Sequence, residues 1–378
     1  MGPEKAPEVG SGRAAIPVIP EGGYFFCGAR LPSFRGIDMP TNDWTIFAVS
    51  ALFVVGAGIA IGRISGELGE RLGLGRAWAG AVLLSFATTL PELVTTITVT
   101  LEGAYGLALG GILGSIIFNL FILVLVDAAA PEPLYGGKLS KSHLATGLLG
   151  TAMMGVLMAG LSLGMAGSTG GIPFSPLVLL AAPAGIILLY GVGQFVLFRM
   201  ARQSFDKEMV VPTVFSGFPM WGILAAYAVA AGIIVVAAMY LGSAVHRLSD
   251  HYGLAATFAG ATMLGIVTSL PEITNALACA RQKEYDLAVG NVLGANAFVL
   301  VVLAAASLLA GNRIFTSASF GDAMSTMVMS GLAVIMQVIA LGALAVESKH
   351  HFKRLSVASL ILAALYAANL YVSYQFGK

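Results

Sequence analysis

The sequence predicts an all-α integral membrane protein with ten transmembrane helices, arranged as two inverted five-helix repeats. Three observations predict this class: the chain is poor in charged residues, it contains ten long apolar runs, and its two halves resemble each other. Only 10% of its 378 residues are charged and 57% are hydrophobic, with a mean hydropathy of +0.88, whereas soluble domains carry about 25% charged residues. So few charges cannot cover a water-soluble surface, and lipid must be the main solvent. The net charge of +1 gives no indication of a nucleic-acid partner.

The apolar runs are each long enough to cross a bilayer, which takes about 20 residues. We place them at 44–62, 77–101, 104–126, 144–166, 174–198, 219–242, 253–280, 287–311, 323–346 and 355–375. The predicted organisation is a polar N-terminal tail at 1–43, a first five-helix repeat at 44–198, a short cytoplasmic linker at 199–218 and a second five-helix repeat at 219–378.

The distribution of lysine and arginine predicts the orientation, because cytoplasmic loops are enriched in both. Of the 20 lysine and arginine residues, 13 lie in loops that follow odd-numbered helices, and four of the remaining 7 lie in the long tail. Both termini should therefore face the outside.

An internal duplication relates the two halves. Shifting the sequence by 180 residues aligns 80–120 with 260–300 without a gap, and 15 of the 41 positions are identical. Each half contains five predicted helices, which is an odd number, so the second copy must be inserted upside down. Inverted repeats of this kind are typical of secondary transporters.

The best-matched segments are Thr-Thr-Leu-Pro-Glu at 88–92 and Thr-Ser-Leu-Pro-Glu at 268–272. Glu92 and Glu272 lie near the bilayer midplane, because about 13 Å of helix separates each from the polar end of its span. A carboxylate at this depth costs at least about 2.5–3.5 kcal/mol. Two carboxylates at matching depths indicate that another group or ion neutralises their charge.

The proline before each glutamate supplies further ligands. Proline donates no hydrogen bond and its ring displaces the carbonyl four residues earlier, which frees the carbonyls of Ala87 and Val267. Freed carbonyls, hydroxyls and a carboxylate form an all-oxygen shell, which suits a hard cation such as Ca²⁺ or Na⁺.

The helices that follow, predicted as the third and eighth spans, carry small-residue faces. Glycines at 106, 110 and 114, and at 290 and 294, should let each helix approach its neighbour closely. Ser115 and Asn119 lie four residues apart on one helical face and could add side-chain oxygens.

The paired motifs make the chain recognisable. Each Leu-Pro-Glu segment is followed by a Gly-x-x-Leu-Gly-x-x-x-Phe helix, and this pair resembles the two α-repeats of the cation/calcium exchanger superfamily, in particular its prokaryotic sodium/calcium exchangers. The motifs cover 80–120 and 260–300, while helix number and order cover the whole membrane part. The resemblance implies a transporter, not an enzyme, in a prokaryotic inner membrane, with both termini outside.

The resemblance also implies a ligand set. Calcium would bind the carboxylates of Glu92 and Glu272 together with the carbonyls of Thr88 and Thr268. The flanking sodium sites would use Thr89, Ser269, Ser115 and Asn119. No cofactor is implied; the partners are the transported metal cations, Ca²⁺ and Na⁺ (or H⁺), and the lipid bilayer.

The second repeat departs from the family pattern. Relatives carry a hydroxyl and an acidic or amide residue where this chain has Ala295 and Val299, although the same helix retains Asn291 and Asn296. The departure leaves open the number of sodium sites, the coupling ratio, and whether these two amides bind ions or only pack.

Other functions remain to be compared with Ca²⁺/Na⁺ exchange. The runner-up is Ca²⁺/H⁺ antiport, because a carboxyl group removed from water holds a proton more readily. The inverted repeat argues against a passive channel. An intramembrane hydrolase would need a nucleophile and a base; the Gly-Leu-Ser-Leu-Gly string at 160–164 lies in a predicted membrane helix and not in the strand-turn-helix that this motif requires. The histidines lie near helix ends and are interpreted as interfacial.

The orientation can be tested with cysteine labels. Single cysteines within 1–43 and at 376–378 should react with an impermeant reagent added from outside, and cysteines within 203–207 only from inside, because of the lysine and arginine asymmetry. Termini on opposite sides would contradict the arrangement of five helices in each repeat.

The charge of the site predicts the coupling ratio, which is the number of counter-ions exchanged for each Ca²⁺. Two ionised glutamates give a charge near −2, which one Ca²⁺, two Na⁺ or two H⁺ would neutralise, and further ions would be costly to desolvate. We therefore expect exchange close to electroneutral. Membrane potential acts on each net charge with about 2.3 kcal/mol per 100 mV, so calcium flux at clamped potential measures the coupling. A reversal point that follows voltage by one charge per turnover would refute this expectation.

Overall fold

The computed structural model describes residues 25–26, 29–30, 40–71, 84–131, 134–135, 139–140, 142–169, 176–203, 217–316, 320–346, 351–352 and 355–376. The chain divides into two units, Met1–Asp38 and Met39–Lys378. In the first unit, strand β1 (Phe25–Phe26) pairs antiparallel with strand β2 (Ala29–Arg30). The remainder of the predicted tail before residue 40 lies outside the described residues.

The second unit is built from helices. In chain order they are α1 (Pro40–Arg71), α2 (Ser85–Thr88), α3 (Leu90–Leu101), α4 (Tyr105–Ala129), α5 (Ser142–Thr169), α6 (Pro176–Gln203), α7 (Met220–Tyr252), α8 (Ala256–Ala259), α9 (Gly265–Thr268), α10 (Leu270–Arg281), α11 (Tyr285–Leu309), α12 (Arg313–Thr316), α13 (Phe320–Ala345) and α14 (Val357–Phe376). A π-helical turn, Gly260–Leu264, connects α8 to α9. The strands β3 (His351–Phe352) and β4 (Leu355–Ser356) form an antiparallel pair before α14.

The helices confirm an integral membrane protein. Eight of them (α1, α4, α5, α6, α7, α11, α13 and α14) are long and apolar enough to cross a bilayer. The segment from α8 to α10 is bent by 43° and would make a ninth span if its two parts form one crossing. The predicted span at 77–101 is described only from residue 84, and α3 alone, with 12 residues, is too short to cross. The described residues thus account for eight of the ten predicted spans, or nine if the bent segment is one crossing.

Helix α7 extends to Tyr252, whereas the sequence predicted that its span ends at 242. The additional turns are polar, and the prediction from hydropathy alone therefore placed the end of the span too early. They remain helical because their charged side chains find partners on other helices, as when Arg247 Nε donates to Asp43 Oδ1 over 2.7 Å. The helix ends at Gly253, whose φ of 60° is the left-handed conformation typical of a glycine cap.

Two spans are interrupted at equivalent positions. Helix α2 stops before Thr89 (φ −84°, ψ 1°) and α9 stops before Ser269 (φ −87°, ψ 5°), and a new helix starts directly afterwards in both cases. Pro91 and Pro271 occupy the first turn of the new helices, where a missing N–H leaves no helical acceptor unsatisfied. A break next to the proline is therefore present in both copies. The expectation that Val267 has a free carbonyl is wrong, because that carbonyl accepts the Ser269 N–H.

Helices α4 and α11, which follow the interrupted segments, form the centre of the bundle. In α4, 89% of the span is buried and in α11 72%, against 22% for α6. Glycines permit this central packing: a Cβ at Gly110 would lie 2.2 Å from the Thr257 carbonyl oxygen, and one at Gly114 would lie 2.5 Å from the Ala261 Cα. The predicted small-residue face of α4 is confirmed at these two positions.

The long helices α1 and α7 pack side by side, and each contacts an interrupted span of the opposite repeat. Gly58 of α1 lies against Pro271, so that a Cβ there would come within 2.4 Å of the proline Cγ. Gly242 of α7 faces α3, where a Cβ would lie 3.2 Å from Val99 Cγ1. The α1–α7 pair therefore contacts both segments that carry the predicted ligands.

At one end of the bundle, which we call the first face, side chains join α1, α3 and α7. Asp43 pairs with Arg247, as described above, and His246 Nδ1 lies 2.9 Å from Glu102 Oε2. Glu102 also accepts a hydrogen bond from Ser243. The start of α1, the end of α3 and the end of α7 consequently lie together.

At the opposite end, the second face, buried Asp127 near the end of α4 organises the neighbouring loops. Its carboxylate accepts hydrogen bonds from the Leu134 N–H at 2.8 Å, the Ser356 N–H at 2.8 Å and the Ser359 hydroxyl at 2.7 Å. Because backbone N–H donors satisfy the charge, this aspartate fixes the start of α14 to the end of α4.

A second link on the same face joins α5 to α11. His143 Nε2 lies 2.8 Å from Asp286 Oδ1, and the Ser140 N–H donates to the same oxygen over 2.7 Å. Histidines 143 and 246 thus each contact a carboxylate near a helix end.

The contact between α1 and Pro271 can be tested with two substitutions on one helix. Gly58→Ala should lower the free energy of unfolding by about 1–3 kcal/mol, because the new methyl group meets a rigid ring. Gly56→Ala is the matched control: no atom lies within 4 Å of its Cβ position, and both changes gain the same helix propensity. Thermal unfolding of the purified proteins in detergent measures the difference. Equal melting temperatures for the two variants would contradict the close contact.

Candidate cation site

The interrupted spans bring two glutamates into the centre of the molecule. Glu92 lies in the first turn of α3 and Glu272 in the first turn of α10, and their exposed fractions are 2% and 1%. The positive end of the helix dipole favours a carboxylate in that turn. Ser269, from the second repeat, donates its hydroxyl to Glu92 Oε1 over 3.2 Å. The two repeats therefore meet at the carboxylates.

Most of the carboxylate oxygens have no protein partner among the described residues. Glu92 Oε2 and both side-chain oxygens of Glu272 are buried without a hydrogen bond. The two carboxylates also lie close enough to repel each other. A buried charge is tolerated only when it is paired or coordinates a metal, so these three oxygens are suited to a cation.

Hydroxyl groups surround the Glu92 carboxylate. Besides Ser269, the hydroxyls of Thr268 and Ser115 face it and lie 3.5 Å from each other. Thr268 donates its proton to the Leu264 carbonyl over 2.8 Å, and Ser115 donates to the Gly265 carbonyl over 3.3 Å. A hydroxyl has one proton and two lone pairs, so both oxygens present lone pairs to the site.

On the Glu272 side the nearest hydroxyl belongs to Thr88. This hydroxyl lies 3.3 Å from the Ser85 carbonyl and 3.4 Å from Asn291 Oδ1. The Thr89 hydroxyl donates to the same Ser85 carbonyl over 2.6 Å. Thr89 therefore bonds back to its own helix, as membrane threonines often do.

Two amides from different repeats form a further buried contact. Asn119 Nδ2 donates to Asn296 Oδ1 over 3.1 Å, and Asn296 Nδ2 donates to the Ile116 carbonyl over 3.4 Å. Asn119 Oδ1 has no partner among the described residues. The Asn119 side chain thus donates one hydrogen bond to Asn296, and its own amide oxygen accepts none from the described residues.

All eight predicted site residues are buried. Thr268, Ser269 and Ser115 lie beside the Glu92 carboxylate and Thr88 lies beside that of Glu272. The Thr89 hydroxyl instead bonds to the Ser85 carbonyl, and the Asn119 amide bonds to Asn296. Sequence reasoning omitted Ser85, which has glycine as its counterpart 180 residues later, and it left the role of Asn291 open.

The atoms at the site that can offer lone pairs to a cation are oxygens of carboxylate, hydroxyl and amide groups. Hard cations such as Ca²⁺ take six to eight oxygen ligands at about 2.3–2.6 Å. Ligands at about 2.4 Å and at right angles lie about 3.4 Å apart, which is close to the oxygen separations of 3.4 and 3.5 Å at Thr88 and Thr268.

The membrane part of the chain matches one protein family model over nearly its whole length. The model describes the sodium/calcium exchanger protein, and residues 42–201 and 222–375 match it. The chain belongs to the sodium/calcium exchanger family. It is therefore an integral membrane transporter that exchanges cations, and the resemblance inferred from the Leu-Pro-Glu repeats is confirmed.

Two relatives of this exchanger are recognisable by sequence. The inner membrane protein YrbG of Escherichia coli K12 is 28% identical over 237 residues, which is 59% of this chain and 66% of the relative, just under two thirds of its length. The "Putative antiporter CaxA" of Alkalimonas amylolytica is 24% identical over 266 residues, covering 70% of this chain and 80% of the relative.

Solved structures share the fold of the exchanger. The sodium-calcium exchanger NCX_Mj, in a crystal soaked with Na⁺ and without Ca²⁺, aligns with a TM-score of 0.57 and 18% identity over 88% of this chain and 99% of the other. Native YfkE aligns with a TM-score of 0.60 and 16% identity, covering 88% and 92%. These similarities establish the fold alone.

Proposed function

We propose that this exchanger moves Ca²⁺ against Na⁺ across the membrane by alternating access, with Ca²⁺ bound between Glu92 and Glu272 and Na⁺ in flanking sites. The ligands would be the two carboxylates and the carbonyls of Thr88 and Thr268, and the flanking Na⁺ positions would use Thr89, Ser269, Ser115 and Asn119.

One observation carries the proposal: among the described residues, three carboxylate oxygens are buried without a hydrogen-bond partner at the junction of the two interrupted spans. Removing two carboxylates from water costs several kcal/mol each, and no described Lys or Arg forms an ion pair with either one. A cation bound between them would offset that cost, and the surrounding hydroxyl and amide oxygens would replace its hydration shell.

Contacts at the helix ends support ten crossings in two inverted halves. Asp43 and Glu102 both lie on the first face, whereas α1 ends at Arg71 on the opposite side. The chain would therefore cross back between Arg71 and Glu102. Asp127 and Asp286 lie on the second face, as the alternation of ten spans requires. The same alternation leaves Phe376, the last residue of α14, on the first face with Asp43. We assign the first face to the outside because of the lysine and arginine asymmetry.

The organisation proposed for the chain follows from these crossings. A first repeat at 44–198 and a second at 219–378 would flank the cytoplasmic linker at 199–218, with the polar tail 1–43 outside. The name of YrbG, an inner membrane protein, supports a bacterial inner membrane as the location.

The driving ion distinguishes two versions of the function. The name of NCX_Mj, a sodium-calcium exchanger, and the supply of neutral oxygens favour Na⁺, since a monovalent metal ion needs several such ligands while a proton needs one base. Ca²⁺/H⁺ exchange is the second candidate, because the partnerless carboxylate of Glu272 could bind a proton. Calcium uptake into proteoliposomes under an imposed Na⁺ gradient or an imposed pH gradient separates the two.

Isosteric replacement of either central glutamate tests the site. Glu92→Gln and Glu272→Gln should each abolish calcium counterflow in proteoliposomes, a loss of about 100-fold or more, because each removes a charge that a divalent cation needs. Radiolabelled Ca²⁺ exchanged for unlabelled Ca²⁺ is the measurement.

The matched control is Glu102→Gln, which makes the same chemical change at the end of the same helix, next to Ser243 and His246. This variant should retain most of the counterflow. Near-normal counterflow in either central variant, with normal elution in size-exclusion chromatography, would refute the assignment of Glu92 and Glu272 as ligands.

A further inference from the structure

The seam between α3 and α7 leads from the first face towards Glu92. Val99 and Glu102 follow Glu92 by seven and ten residues, a spacing that places all three on one face of α3. A Cβ at Gly242 of α7 would lie 3.2 Å from Val99 Cγ1 and 3.5 Å from the Thr95 carbonyl oxygen. Helix α7 therefore covers the face of α3 that runs from Glu102 to Glu92, and the two helices would have to separate for a route to open along this face.

Polar side chains join the two helices at the outer end of the seam. Glu102, at the end of α3, accepts a hydrogen bond from the Ser243 hydroxyl with Oε1, and its Oε2 lies 2.9 Å from His246 Nδ1. On the other side of the ring, His246 Nε2 lies 3.6 Å from Asp250 Oδ2. The imidazole thus stands between two carboxylates, with one beside each ring nitrogen.

This arrangement matches the protonated form of the imidazole. A neutral imidazole has one N–H group, whereas the imidazolium has a donor on each nitrogen and a positive charge. Glu102 also lies at the C-terminal end of α3, where the helix dipole disfavours a carboxylate and favours a cation. A proton on His246 therefore strengthens the contact between α3 and α7, and loss of that proton weakens it.

The other groups described around His246 keep their charge near neutral pH or have none. Arg247 donates to Asp43 of α1 over 2.7 Å, and this ion pair lies within the α1–α7 pair. The segment 253–264, which also packs against α7, has no ionisable side chain. Carboxylates titrate near pH 4, whereas an imidazole has an ordinary pKa of about 6.5. The second imidazole on this face, His251, is exposed and packs edge-on against the ring of the next residue.

We propose that His246 and Glu102 form a proton-sensitive latch that holds α7 against α3 on the external side of the exchanger. The inference rests on the proposed function, in which the first face is external and opens in each cycle. In acidic external water the imidazolium closes the latch and slows this opening. At higher pH the neutral imidazole holds Glu102 less strongly, and opening is faster. Both are positioning residues, since they act on the helices and not on the transported ion.

The test is calcium counterflow in right-side-out vesicles at an external pH of about 6 and of about 8 with the internal pH fixed. The readout is the rate at the higher pH divided by the rate at the lower pH. In the unmodified protein this ratio should be about threefold larger than in His246→Asn, because a partly exposed ion pair contributes modestly. Asparagine keeps an N–H donor for Glu102 but takes up no proton. Comparing ratios removes the effect of protons on Glu92 and Glu272, which all variants share.

Two further variants complete the comparison. His246→Arg carries a permanent charge and should be slow at both pH values, with a ratio as small as that of His246→Asn. His251→Asn is the matched control, because it makes the same chemical change at the exposed histidine of the same helix. It should keep the ratio of the unmodified protein.

The outcomes separate the latch from the proposed function. An unmodified protein without calcium counterflow would refute the function, and the latch with it. An active protein whose ratio is the same in His246→Asn would overturn the latch alone and assign the pH dependence to other groups. If neither His246 variant folds, Glu102→Gln decides, because it removes the charged acceptor: a ratio lowered about threefold supports the latch, and an unchanged ratio overturns it.

Discussion

Two buried carboxylates, with no ion pair to a lysine or arginine in the part of the chain that the structure describes, are the constraint on which the other features depend. Removing such groups from water costs several kcal/mol each, and lipid offers no compensation. The protein holds them because each sits in the first turn of a helix that starts within the bundle, where the dipole is favourable and where proline has already interrupted the backbone ladder. In the proposed function a mobile cation would complete the charge balance, and such an arrangement would suit transport better than permanent pairing.

Close backbone packing follows from this constraint. The glutamates, the hydroxyls of the loosened turns and the oxygens of α4 and α11 must converge within a few ångströms. Gly110 and Gly114 allow α4 to touch the backbone of the segment from α8 to α9, and Gly58 allows α1 to contact Pro271. In lipid, where apolar burial does not drive helices together, small residues and interhelical hydrogen bonds supply the association. The glycine content is thus a consequence of assembling the site.

The two repeats do not have the same side chains at every equivalent position. The first repeat supplies Ser115 and Asn119, and the second supplies Asn291 and Asn296 from different helical positions. The two sets meet across the repeats, as in the hydrogen bond from Asn119 to Asn296.

The sequence by itself determined the class, the duplication and the central residues. Hydropathy predicts membrane helices because backbone groups without hydrogen bonds are excluded from lipid. A proline next to a glutamate in the middle of a span interrupts the helix, so the breaks at Thr89 and Ser269 were predictable. Only the tertiary structure decided that α7 continues to Tyr252, that Thr89 bonds back to Ser85, and that Asn291 faces Thr88. These outcomes depend on partners more than 100 residues away or on the choice among competing local acceptors, and a pattern along one helix carries no information about either.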